Sequence, residues 1–297
     1  MTENIANVGR GIRLVYEGIG DPDGTPVVLV AGLGQQLHAW PDDFCALLAE
    51  RGNFVIRFDN RDSGQSTHMD FTANPLGMFM GRFHPEQYVL FDMARDTVGL
   101  LDALGLESAH LVGMSMGGMI AQTVAARFTG RVRTLTSIMS NTGAKKIGRP
   151  AMSTWRMMAT SKPPKTSQEA TEGAVRGFKH IGSAGFPLDE PAVRAYARRA
   201  FERDPDAATG AGRQIAGIFK SGDRTAELRH VTAPTLVIHG DRDLMVNPTG
   251  GAATVRAITS ARLHTIKGMG HDLPVGAWPE LIELIGTHTE VAAISRR

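Results

Sequence analysis

Residues 108–128 read SAHLVGMSMGGMIAQTVAARF. The stretch opens with a short β-branched and apolar run, His110–Gly113, which predicts a buried strand. From Met116 to about Phe128 apolar residues recur at helical spacing, which predicts a helix. Between them lies Gly113-Met114-Ser115-Met116-Gly117, a G-x-S-x-G pattern. A serine on so sharp a strand-to-helix turn needs an unfavourable backbone conformation, costing about 1–3 kcal/mol. Small residues two before and two after it let strand and helix pack closely. The N–H groups at the helix start face the serine, where negative charge can be stabilised. The bare pattern is common; the strand before it and the helix after it make Ser115 a candidate nucleophile.

Outward from this turn the chain alternates strand and helix. Arg10–Glu17 alternates like an edge strand, and Pro26–Ala31 and Asn53–Asp59 read as central strands. Pro41–Arg51 and Tyr88–Leu104 carry helical apolar stripes, and Thr134–Met139 is a further strand. The rhythm breaks at 141–230, where helical segments are punctuated by Pro163-Pro164 and Pro187 and no strand is convincing. It resumes with Pro234–His239, a helix near Thr249–Ile258, a strand at Arg262–Ile266 and a last helix near Pro279–His288. Alternation of this kind predicts an α/β fold with a mostly parallel sheet flanked by helices. We expect residues 1–140 and 231–297 to form the core and 141–230 a helical cap over the carboxyl edge of the sheet, where such sheets bind ligands.

Composition bounds the function. The 297 residues carry a net charge of +2, too little to argue for nucleic acid. No apolar run reaches the length of a membrane span, and the first residues lack the pattern of a signal peptide, so the expectation is a cytoplasmic protein without a membrane span. The single cysteine, Cys45, excludes an intrachain disulfide and reads as a core residue of a helix. Charge is uneven: residues 141–230 hold 16 Lys and Arg against 9 Asp and Glu, which predicts exposed basic helix faces on the cap.

A nucleophilic serine needs a base, and the base needs a carboxylate to orient it. In chain order these follow the serine as acid, then histidine. His239-Gly240-Asp241-Arg242-Asp243 follows one late strand and Gly268-Met269-Gly270-His271-Asp272 the last. His271 is the expected base. Asp243 is the expected acid, because the loop must carry it beyond the strand end; Asp241 then serves the loop, and Asp272 lies too close in sequence to reach the far ring nitrogen. His110 and His239, on strands, take structural roles. The oxyanion hole is expected from the N–H groups of Met116 and Leu33, the latter in Gly32-Leu33-Gly34-Gln35-Gln36 after the strand VVLVA. Gly32-x-Gly34 begins like a dinucleotide fingerprint, but the next required position is Leu37, so no nucleotide cofactor is expected. Neither H-E-x-x-H nor paired cysteines occur, so no metal is expected. Asp59 and Arg61, in RFDNRDSGQS at 57–66, are expected to hold loops around the site.

With these residues in place the chain resembles the α/β-hydrolase superfamily over nearly its whole length. Within it, the chain is similar to the aclacinomycin methylesterase-like bacterial esterases. The superfamily likeness lies in GMSMGG, the Asp243 loop, GMGH at 268–271 and the cap insertion, and that to the esterases in Ala39-Trp40-Pro41-Asp42, RFDNRDSGQST and Pro274. The resemblance implies a cofactor-free carboxylic ester hydrolase whose Ser-His-Asp triad is Ser115, His271 and Asp243. One departure is Ala31-Gly32, where the family commonly has His-Gly beside the hole. Family dehalogenases and epoxide hydrolases use an aspartate nucleophile, and epoxide opening uses two cap tyrosines where 141–230 has only Tyr196. The expected substrates are small to medium, fairly apolar esters. Trp40, Met152, Trp155, Met158 and Phe178 are candidate pocket residues, with Met157 beside them. Perhydrolase, lactonase and C–C hydrolase chemistry can run on the same triad, and a silent ligand receptor is the reading from another class.

Overall fold

The computed structural model describes residues 2–74, 77–78 and 80–294. Eight strands form one sheet: β1 (Asn4–Asn7), β2 (Arg13–Ile19), β3 (Thr25–Val30), β4 (Asn53–Phe58), β5 (Ala109–Met114), β6 (Val132–Ile138), β7 (Thr235–Gly240) and β8 (Ala261–Ile266). Their order is β1-β2-β4-β3-β5-β6-β7-β8. β1 and β2, and β2 and β4, pair antiparallel; every later pair is parallel. β2 is therefore not the edge strand its alternation suggested. The short polar strand β1, absent from the sequence reading, pairs with it through Asn4–Asn7 and takes the edge.

Central strands covered on both faces are apolar throughout. In β3, Val28 and Val30 point into one core with Leu111 of β5, while Val27 and Leu29 point into a second with Val112. The first core is closed by α2 (Leu90–Ala103) and α3 (Met116–Arg127), through Met93, Leu101, Ile120 and Val124. The second is closed by α1 (Asp42–Ala49) and α10 (Trp278–Ile294), through Phe44, Leu48, Leu281 and Ile285. Cys45 is in that second core, as its sequence context suggested, and burial pushes its thiol up to about 12, so it stays a thiol.

Between β6 and β7 the described chain has no strand. It forms α4 (Met152–Thr160), α5 (Ser167–Ile181), α6 (Glu190–Arg203), α7 (Ala207–Ser221) and the short α8 (Thr225–Leu228). Capping residues set two of these starts: Thr166 Oγ1 accepts from the Glu169 N–H, and Asp189 Oδ1 from the Ala192 N–H. Helix α9 (Thr249–Ala257) links β7 to β8.

Close packing at the β5–α3 turn depends on its glycines. A Cβ on Gly117 would fall inside van der Waals contact of the Val30 carbonyl oxygen, and one on Gly113 inside that of the Gly117 carbonyl. These obstacles are backbone, so they cannot turn aside. Gly117→Ala is expected to destabilise the fold by at least about 3 kcal/mol, beyond ordinary overpacking. Thermal unfolding checks this; a melting temperature equal to the parent would contradict the packing just described.

Candidate active site

Three strand ends carry the predicted residues to one edge. Ser115 follows β5, Asp243 lies three residues beyond β7, and His271 lies five beyond β8. Ser115 adopts φ 54°, ψ −121°, in the region that side chains avoid. Its N–H is held by the Ile138 carbonyl at 2.9 Å, and its carbonyl accepts from Ser140 Oγ at 2.8 Å. The end of β6 and the residue two beyond it thus hold the strained residue from both sides.

The Ser115 hydroxyl lies 3.0 Å from His271 Nε2, and His271 Nδ1 lies 2.8 Å from Asp243 Oδ2. Asp243 is buried, and its Oδ1 accepts the N–H groups of Met245 and Val246, each at 2.8 Å. Burial by itself raises the Asp243 pKa. The His271 charge, hydrogen bonds from His239 and His271, and the Val246 N–H outweigh it and hold the carboxyl at about 2. Asp241 serves its loop, accepting the Gly268 N–H at 2.6 Å. Asp272 accepts from Ser183 Oγ, in the segment between α5 and α6.

The sequence reading assigns His239 a structural role on its strand, but not its contact with the acid. His239 Nε2 lies 2.8 Å from the Val246 carbonyl and 3.3 Å from Asp243 Oδ2. Both neighbours are acceptors, so Nε2 carries the proton and donates towards them. His239 thereby supports the same carboxylate oxygen that faces His271. A histidine four residues before an acid on a strand-to-loop junction has no pattern that reveals this.

The loop after β3 lies against the serine. A Cβ on Gly32 would sit 3.4 Å from the Ser115 Cβ. The N–H groups of Leu33 and Met116 make no backbone hydrogen bond among the described residues. Met116 is the first residue of α3, where a helix leaves its donors unpaired. Asp59 steadies the end of this loop: its Oδ1 accepts the Leu37 N–H at 2.7 Å, and its Oδ2 pairs with Arg203 of α6 at 2.9 Å. Arg61 pairs with Asp96. Both side chains do the loop-holding expected of them.

A cleft of about 160 Å³ opens over Ser115 and His271, close to the size that admits one benzene ring. Its walls are mostly apolar: Met114, Met139, Phe178, Leu188, Val193, Tyr196, Leu273 and Trp278, with Gln35, His38, Asp189 and Asp272 as polar members. Burial and the charges of Arg199, Arg57 and Arg203 lower the His38 pKa to about 3, so this wall carries a neutral imidazole near neutral pH.

Of the five expected pocket residues, the structure brings only Phe178 to the cleft. Trp40 is fully buried in the second core, its ring 5.8 Å from that of Phe44; its neighbours Ala39 and Pro41 line the cleft instead. Met152, Trp155 and Met158 are exposed on α4, away from the cleft. That helix buries Thr154, whose hydroxyl donates to the Leu244 carbonyl at 3.0 Å, so the apolar stripe turns outward. Met157 lines a separate surface groove with Arg156 and Arg176. Between β6 and β7 the apolar wall comes from Phe178 of α5, from α6 and from the segment before it, which the sequence marked only as helical segments broken at Pro187.

Among the described residues one group could approach a metal ion, Glu3, Glu17 and His38, with ligand atoms within 4.8 Å of one another. Glu17 pairs with Arg57 and Glu3 with Arg203, so two guanidinium groups already balance these carboxylates and oppose a further cation. No described helix is long and apolar enough to cross a membrane.

Fold and site together define a hydrolase of the α/β class. The alpha/beta hydrolase fold family model matches residues 25–275, and the chain belongs to that family. Its relatives include the rhodomycin D methylesterase DauP of Streptomyces sp. strain C5, 32% identical over 95% of this chain and 97% of that one. The rhodomycin D methylesterase DnrP of Streptomyces peucetius is 30% identical with the same coverage. Among solved structures, the 2-hydroxy-6-oxo-6-phenylhexa-2,4-dienoate hydrolase of Rhodococcus sp. strain RHA1 superposes with a TM-score of 0.76 at 20% identity, covering 97% of this chain and 98% of that one, which speaks to the fold alone.

Proposed function

We propose that this protein is a serine carboxylesterase acting on small to medium, fairly apolar esters. The reading is carried by one observation, the continuous Ser115–His271–Asp243 hydrogen-bond relay beneath an apolar cleft. Ser115 Oγ attacks the ester carbonyl while His271 Nε2 takes its proton. Asp243 holds Nδ1–H, which fixes the ring and stabilises the imidazolium. The N–H groups of Met116 and Leu33 bind the tetrahedral oxyanion. His271 then protonates the leaving alkoxide, and an alcohol departs. Water, deprotonated by His271, cleaves the acyl-enzyme and restores Ser115. No cofactor enters this cycle.

Residues 141–230 act as a lid in this reading, with Phe178, Leu188, Val193 and Tyr196 covering the acyl or alcohol group. The names of the two methylesterase relatives favour a small leaving alcohol. The test combines a fluorophosphonate probe, with mass mapping of the adduct, and a panel of p-nitrophenyl esters of rising acyl length. A stoichiometric adduct on Ser115 and turnover that peaks at short to medium chains are expected. Absence of both adduct and turnover would refute the reading.

A further inference from the structure

The oxyanion loop is not held by the core alone. In the turn Gly32–Gln35, the Gly32 N–H donates to Gln35 Oε1 at 2.9 Å, and the Gln35 N–H donates to the Gly32 carbonyl at 3.2 Å. Carbonyl and N–H point opposite ways in a trans peptide. Tying the Gly32 carbonyl into the turn therefore directs the Leu33 N–H outward from it, on a residue step that abuts Ser115. The next peptide is fixed from outside the loop. The Gly34 N–H donates to Gln214 Oε1 at 2.8 Å, and Gln214 belongs to the cap helix α7.

Gln214 is fully buried. Its Nε2 donates to the Arg61 carbonyl at 2.8 Å, so the amide bridges the loops that follow β3 and β4, and its two ends are assigned by their partners. Helix α7 is clamped at the same place by Arg213, which pairs with buried Asp62 at 2.7 Å. Gly34 takes φ +64°, and a Cβ there would meet the Ala211 Cβ of α7 at 3.2 Å. The turn, its glycine and the helix thus fit as one unit.

We propose that Gln214 is a positioning residue for ester hydrolysis: by holding the Gly34 N–H, it fixes the peptide next to it so that the Leu33 N–H faces the oxyanion. This rests on the serine esterase reading above. It also fastens α7 to the oxyanion loop, so any opening of the cap leaves α7 in place.

Gln214→Met keeps side-chain length and removes both hydrogen bonds. Because the donor is misaligned and not deleted, kcat is expected to fall about 10–100-fold, less than the loss of a whole oxyanion donor. KM is expected to stay within about threefold, since the lost interaction forms in the transition state. A boronic acid that forms a tetrahedral adduct on Ser115, with one oxygen in the hole, should bind more weakly by the same factor as kcat. If Gln214→Met does not fold, Gln214→Asn, one methylene short of Gly34, replaces it with the same expected pattern. A folded variant whose kcat and boronate affinity equal the parent's would overturn the inference, even with a lowered melting temperature, because Gln214 would then only fasten the cap. A parent protein that labels at Ser115 and turns over esters keeps the esterase reading standing in that case. A parent that does neither removes both.

Discussion

Ser115→Ala is expected to lower kcat for p-nitrophenyl esters by about four to six orders of magnitude while the fold persists. The loss is large because in the proposed mechanism the hydroxyl is the attacking atom, and His271 Nε2 faces it at 3.0 Å. Removing the nucleophile leaves water to attack in its place, without a covalent intermediate. A small residual rate from the remaining N–H donors and substrate binding is expected. Retention of even about a tenth of the parent rate would place the nucleophile elsewhere. A companion variant separates chemistry from strain. At φ 54°, ψ −121°, glycine sits without penalty where serine does not. Ser115→Gly should be as inactive as Ser115→Ala but more stable than it, by about 1–3 kcal/mol in thermal or denaturant unfolding. An order reversed between the two would mean that the turn is not strained.

Asp243→Asn is the second large effect, with kcat expected to fall about 10⁴-fold near neutral pH. The amide nitrogen can meet His271 Nδ1 only as a donor, so the ring must carry its proton on Nε2. That nitrogen then cannot accept the Ser115 proton. The Met245 and Val246 N–H groups still find the remaining oxygen, so the loop should keep its shape. The same substitution changes acid stability. Asp243 has a folded pKa of about 2 against an ordinary 3.8. A carboxyl depressed by folding stabilises the protein above its unfolded pKa, and that stability is lost as pH falls through the folded value. The contribution is about 2–3 kcal/mol, present above about pH 4 and gone below about pH 2. The parent should therefore lose stability more steeply than Asp243→Asn across that window, in urea unfolding followed by circular dichroism. Parallel curves would remove the charge argument.

Most of the sheet was legible because parallel strands buried on both faces are apolar without interruption, as in Val27–Val30 and Leu236–Ile238. β1 was not: Asn4–Asn7 buries a single residue, so no periodicity marks it. Its presence moved β2 from the edge. Ser115 and His271 were legible because each needs glycines at fixed offsets, and those offsets survive as a string. The pocket was misread for the opposite reason. Trp40, Met152, Trp155 and Met158 are large and apolar, but size and polarity do not say which way a side chain turns. Thr154 anchors α4 through the Leu244 carbonyl and sends that helix's methionines outward.

The sequence by itself determined the α/β class and the residues of the Ser115–Asp243–His271 set, since backbone strain, close packing and strand burial are local demands that residue types must meet in order along the chain. Tertiary structure alone decided which faces of the helices between β6 and β7 line the cleft, that His239 supports the Asp243 carboxylate, and that Gln214 reaches the Gly34 N–H across 180 residues of chain. A hydrogen bond between distant segments leaves no spacing in the sequence; it depends on where α7 lands on the core, and that is set by the packing of the whole domain.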